Sequence, residues 1–101
     1  MKKRIHPTNI EIIILDLVRE NKGGFADEIE IDGAKYYIDV DAEVSSYEEN
    51  GGYWAPDYDV YTIEDIRLNS VYALDEDGDE LEDVEVIVDD NELESVIGEE
   101  F

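Results

Sequence analysis

The dipeptide Asp32-Gly33 stands between two alternating runs, FADEIEI before it and AKYYIDVDAEV after it, and no other stretch limits the fold as strongly. Asp-Gly is favoured in two-residue hairpin turns, where both central positions take positive φ. In the second run Tyr36, Ile38, Val40, Ala42 and Val44 fall on one side, and Tyr37, Asp39, Asp41 and Glu43 on the other. A period of two describes a strand with one buried face and one wet face. The chain therefore holds an antiparallel hairpin with carboxylates on its outer face and an apolar face that another element must cover.

The candidates for that cover lie at the two ends. Ile10, Ile13, Ile14, Leu17 and Val18 share one stripe at helical spacing. Thr8 with Glu11 three residues later has the capping-box spacing, and Pro7 lies just outside. Gly23-Gly24 suits the left-handed end of such a helix. The isoleucine-rich residues 10–15 also suit a buried strand, because β-branched side chains favour strands. At the other end, Leu93, Val96, Ile97 and Phe101 predict an amphipathic helix from Asn91, with Asp89, Asp90 and Glu92 at its positive N-terminus.

Between them, residues 45–59 read as a long loop punctuated by Gly51-Gly52 and Pro56. Residues 60–74 form a third strand whose alternation slips near Asp65, the mark of a bulge or of two short strands. Residues 75–80, DEDGDE, make a turn, and EVIV at 85–88 reads as a fourth strand. The expected fold is a single α+β domain over 1–101. It is a small, mostly antiparallel sheet of about four strands with an N-terminal and a C-terminal helix. A chain of 101 residues with 43% hydrophobic residues can fill one modest core.

Charge bounds the partners. Thirty acids against seven bases give −23. The bases concentrate in residues 1–22, which carry a net +2, while residues 75–101 hold fourteen acids and no base. Such a field repels nucleic-acid phosphates and anionic membranes, so direct binding to either is not expected. Basic partners and divalent cations remain. The absence of cysteine excludes disulfides, thiolate metal sites and cysteine nucleophiles. The basic start resembles a signal peptide, but the apolar run at 12–15 is too short, with Glu11 and Asp16 on either side. The expectation is a cytoplasmic protein.

No constellation points to catalysis, and none implies a cofactor. His6 is the only histidine, so a Ser-His-Asp arrangement or a zinc site would depend on it alone. Near the terminus it is expected to be exposed and idle. Carboxylate pairs are so frequent among thirty acids that none is informative. Asp75, Asp77, Gly78 and Asp79 have the flavour of a calcium loop, yet glycine comes fourth where an EF-hand needs it sixth. Asp39, Asp41 and Glu43 lie in a strand and lack the glycine. The plainer readings are an acidic turn and a wet strand face, with no metal ligands assigned.

The most suggestive stretch is Gly51-Gly52-Tyr53-Trp54-Ala55-Pro56-Asp57-Tyr58. Exposed loop aromatics such as Tyr53, Trp54 and Tyr58 are common binding hot spots. The alternative, preferred for so small a core, is that Trp54 and a tyrosine fold back over the open face of the sheet. The run TIEDIRLNSVYALDEDGDEL follows. With Ile66, Val71, Asp75, Asp77 and Gly78 in place, residues 25–101 resemble small acidic uncharacterised proteins encoded by phages and mobile elements of gut bacteria. In those a strand and an acidic turn precede a closing helix. The N-terminal helix departs from that pattern. The resemblance implies a mobile-element origin and no activity.

The function expected from these features is an acidic protein-interaction module that captures a basic or DNA-binding protein. Its sharpest form is a DNA mimic, with Asp39, Asp41 and Glu43 and the turn acids Asp75, Asp77 and Asp79 in one band. A calcium-binding or purely structural domain is the alternative, and a small enzyme comes last.

Overall fold

The structure, a computed structural model, describes residues 3–101. Met1 and Lys2, at the start of the basic segment, lie outside the described residues. The elements are β1 (Lys3–Ile5), α1 (Ile10–Asn21), β2 (Phe25–Ile31), β3 (Ala34–Glu49), β4 (Tyr58–Leu74), β5 (Val84–Val86) and α2 (Asp90–Glu94). The α+β class holds, with one rearrangement. The antiparallel sheet has three strands in the order β2-β3-β4. The strand expected at 85–88 is β5, which pairs in parallel with β1, an element the sequence did not announce.

The β2–β3 hairpin forms as expected. Asp32 and Gly33 both have positive φ, 51° and 83°, as the two-residue turn requires. Tyr36, Ile38 and Val40 are buried on the inner face. Residues 10–15 are helical, and Ile10, Ile14, Leu15 and Val18 of α1 pack on that face with Ile63, Ile66 and Ala73 of β4. Leu15 takes the buried place expected of Leu17, which is half-buried. The slip near Asp65 is a bulge. Register breaks between Asp39 and Val40 and between Glu43 and Val44 leave Asn69 and Glu64 of β4 unpaired within one continuous strand.

Both ends of α1 differ from expectation. The N-cap is Asn9 in the left-handed region, with no side-chain cap bond, so Thr8 and Glu11 form no capping box. Glu11 turns inward instead, 2% exposed, and accepts hydrogen bonds from His6 Nε2 (2.5 Å) and the Asp89 N–H (3.0 Å). His6 is thus exposed but not idle, and it follows a paired strand. Burial raises the Glu11 pKa, but the Asp89 amide and the His6 ring outweigh it and hold the group below its ordinary value. At the other end Lys22, not glycine, takes the left-handed cap with φ 55°. Gly24 serves a different need, because a Cβ there would lie 2.5 Å from the Val40 carbonyl oxygen.

The C-terminal helix is much shorter than predicted. Asp89 caps α2 by accepting from the Asn91 and Glu92 amides, and α2 ends at Glu94. Gly98 then takes φ 92° and the tail turns alongside β4. Tyr61 and Phe101 exchange backbone hydrogen bonds, and Ile63 does the same with Gly98 and Glu99. Arg19 of α1 grips Glu99 with two bonds of 2.8 and 3.0 Å, which raises the guanidinium pKa. Phe101 stacks on Tyr61, and Lys22 lies 4.4 Å from that ring centre. The tail is therefore tied to both α1 and β4.

The long loop expected at 45–59 is shorter than that, because both its ends are strand. β3 runs to Glu49 and β4 starts at Tyr58, so only residues 50–57 form the connection. The two strands project as an arm beyond the core. The molecule measures 61 × 25 × 18 Å with a radius of gyration of 16.5 Å, whereas a compact chain of this length has about 13 Å.

Candidate functional site

The expected site residues do not gather in one place. They occupy three stations along the long axis, fixed by the register of β3 and β4. At one end, Lys35 pairs with Leu74 and the acidic turn follows directly. In the middle lie Asp39, Asp41 and Glu43. At the far tip lie Tyr53, Trp54 and Tyr58.

The turn is held by its own acid. Asp75 accepts from the amides of Asp77 and Asp79 at 2.9 Å each, and its N–H donates to the Asp79 carbonyl. One Asp75 oxygen is thus engaged inside the turn, while Asp77 and Asp79 point to solvent. Among the described residues no group of three or more His, Asp or Glu side chains is arranged to hold a metal ion.

The middle station is the most built. Asp41 and Glu43 are exposed and Asp39 is half-buried, so the outer face is less uniformly wet than expected. Tyr37 and Tyr72 stack across the strands at 5.1 Å and cover part of it. Burial first, then Tyr37 and the carboxylates of Glu80, Glu28 and Asp39, push the Tyr72 phenol above its ordinary pKa. Cross-strand pairing sets Arg67 opposite Asp41 and Asp65 opposite Glu43. Where β2 begins, these side chains and the Gly24–Ala26 backbone line a groove of about 660 Å³. Four carboxylates thus share a groove with one guanidinium, and no acid of the described residues lies within ion-pair distance of Arg67. Asp65, known from the sequence only as the point where the alternation slips, and Arg67 join the site through the fold. The bulge at Glu64 shifts their parity, and that shift is the signal that could have found them.

The tip overturns the preferred reading of the aromatic loop. Trp54 is 92% exposed and Tyr53 89%, and neither folds back on the sheet. Their rings meet edge-on at 4.6 Å, which gives the loop a shape of its own. Tyr58 and Tyr47 are exposed nearby. The connection is tight at Gly51, where a Cβ would lie 2.1 Å from the Pro56 carbonyl oxygen. Tyr47, which the sequence reading placed in the loop, lies on β3. Partial desolvation and then Glu100 and Glu49 push its phenol above the ordinary pKa. An aromatic cluster inside a negative field suits contact with apolar and cationic groups of a partner.

No helix among the described residues is long and apolar enough to cross a membrane. No family model, curated protein or solved structure matches this chain, so the functional reading rests on the geometry above.

Proposed function

We propose that this protein is an acidic interaction module that captures a basic, DNA-binding protein by imitating the charge of a duplex. The observation that carries the reading is the combination of rod shape and charge. A net −23 along 61 Å is roughly one negative charge per 2.5–3 Å, against one per about 1.7 Å of duplex DNA. The carboxylates of Asp39, Asp41 and Glu43 recur about every 6–7 Å along one strand face. Asp65 beside them and the turn acids Asp77 and Asp79 extend the band towards one end. The exposed Trp54 and Tyr53 supply an apolar anchor at the other end. Carboxylates provide attraction and fast, salt-sensitive encounter, and the aromatic anchor provides residence. In this reading the protein works in the cytoplasm, where such partners act, in keeping with the mobile-element origin that its resemblance implies.

The test is capture from a bacterial lysate at low and high salt, followed by elution with duplex DNA. A DNA-binding protein held at low salt, released by salt and displaced by the duplex supports the reading. Captured proteins that duplex DNA fails to displace would count against mimicry.

A further inference from the structure

The arm has a free sheet edge, and its backbone is oriented to use it. Tyr61 and Ile63 of β4 direct both their N–H and C=O groups to the C-terminal tail, away from β3. Their partners across the ladder are Ser46 and Val44. In an antiparallel ladder, opposed residues either bond each other or both turn outward. Ser46 and Val44 therefore present N–H and C=O on the far edge of β3. On that edge β2 ends, since its first pair is Phe25 with Val40 and Gly24 lies against Asp41 and Ala42. Among the described residues no strand neighbours 43–49 there, a length of about 23 Å.

An exposed edge of this length pairs with other chains unless something prevents it, and charge is a common safeguard. The charges here are all negative, from Glu43, Glu48 and Glu49. They disfavour an acidic strand, a second copy of this chain included, and favour a basic one. At the foot of the edge lies the groove in which Asp39, Asp41, Glu43 and Asp65 outnumber the single cation, Arg67.

We propose that residues 43–49 of β3 accept an extended lysine- or arginine-rich segment of a partner as an added strand, one end of which enters the groove. This rests on the acidic-capture reading and specifies how the partner is held. Backbone hydrogen bonds supply the pairing, and the flanking carboxylates select basic side chains.

Two ten-residue peptides of equal charge test it on the full chain, one alternating lysine and valine and one alternating lysine and proline. The second cannot donate along a ladder. The expected result is at least tenfold tighter binding of the lysine–valine peptide, with slowed hydrogen exchange at the Val44 and Ser46 amides. Ser46→Pro removes one outward N–H, a substitution that solvent-facing edges tolerate. It should abolish that tenfold preference while binding of the lysine–proline peptide stays unchanged. Equal binding of both peptides without protection of Val44 and Ser46 overturns strand addition and leaves acidic capture standing. Absence of binding by either peptide at low salt overturns both. The exchange measurement on the unaltered chain decides the question even if Ser46→Pro fails to fold.

Discussion

β3 and β4 run through two regions of opposite character. In the lower half the pairs Ile38–Val71, Val40–Leu68 and Ala42–Ile66 face α1, and Ile38 and Val40 are almost wholly buried. In the arm the corresponding positions are Ser46–Tyr61 and Glu48–Asp59, where Ser46, Glu48 and Asp59 are exposed and Lys22 and Phe101 approach Tyr61. The ladder is continuous, so backbone pairing does not distinguish the halves. What differs is the apolar area removed from water on one face, the dominant favourable term in folding. The lower half is a core, and the arm is a surface held out from it.

Placing a carboxylate at equivalent positions should separate the two most sharply. Val40→Asp buries an unpaired charge, which costs on the order of 3–5 kcal/mol, and thermal melting should show a lost or strongly lowered transition. Ser46→Asp, on the same face in the arm, should melt like the parent chain. A normal melt for Val40→Asp would mean that the inner face is not sealed.

Truncation probes the same contrast more gently. Ile38→Ala should cost about 2–5 kcal/mol in denaturant unfolding. Trp54→Ala should stay within about 0.5 kcal/mol yet weaken partner capture. A stability loss at Trp54 comparable to that at Ile38 would show that the tip packs on something.

Glu11 tests what joins β1, α1 and the start of α2 in the base. Its folded pKa lies below the ordinary 4.5. Its ionised form therefore contributes stability that is complete above that value and is lost as pH falls through the folded pKa. Glu11→Gln should cost about 1–2 kcal/mol at neutral pH. The stability gap between parent and variant should close as pH drops below 4.5. A gap that does not change with pH would show that Glu11 acts only through packing.

The smallest effect is expected where base and arm meet. Arg19→Ala removes the grip on Glu99, a half-exposed pair worth about 1 kcal/mol or less. Hydrogen exchange at the Tyr61, Ile63 and Phe101 amides should quicken while the α1 amides hold. Unchanged exchange would mean that the backbone bonds alone retain the tail.

Much of the lower half could be read from the residues. Asp32-Gly33 specifies its turn chemically, and the alternation from Tyr36 to Val44 specifies the buried face. The slip near Asp65 marked either a bulge or a break into two strands, and the continuous ladder shows it to be a bulge. The arm could not be read because Ser45, Ser46, Glu48 and Glu49 are polar on both faces, so periodicity carries no signal there. The β1–β5 pair joins Lys3 to Val84 over three residues, too short and too distant for any local pattern. Leu93, Val96, Ile97 and Phe101 kept helical spacing, but the chain turns at Gly98 and Phe101 pairs with Tyr61.

By itself the sequence determined the charge and the hairpin, because each depends on the residues themselves or on close neighbours in the chain. The helical state of residues 10–15 and the single bulged strand near Asp65 were settled by the fold. Only the tertiary structure decided that Glu11 is buried, that Trp54 is exposed and that residues 43–49 keep an open edge. Those outcomes depend on which distant segment reaches a given face first. Asp89 reaches Glu11, the tail takes the outer edge of β4, and β2 leaves β3 at Val40 before the arm begins.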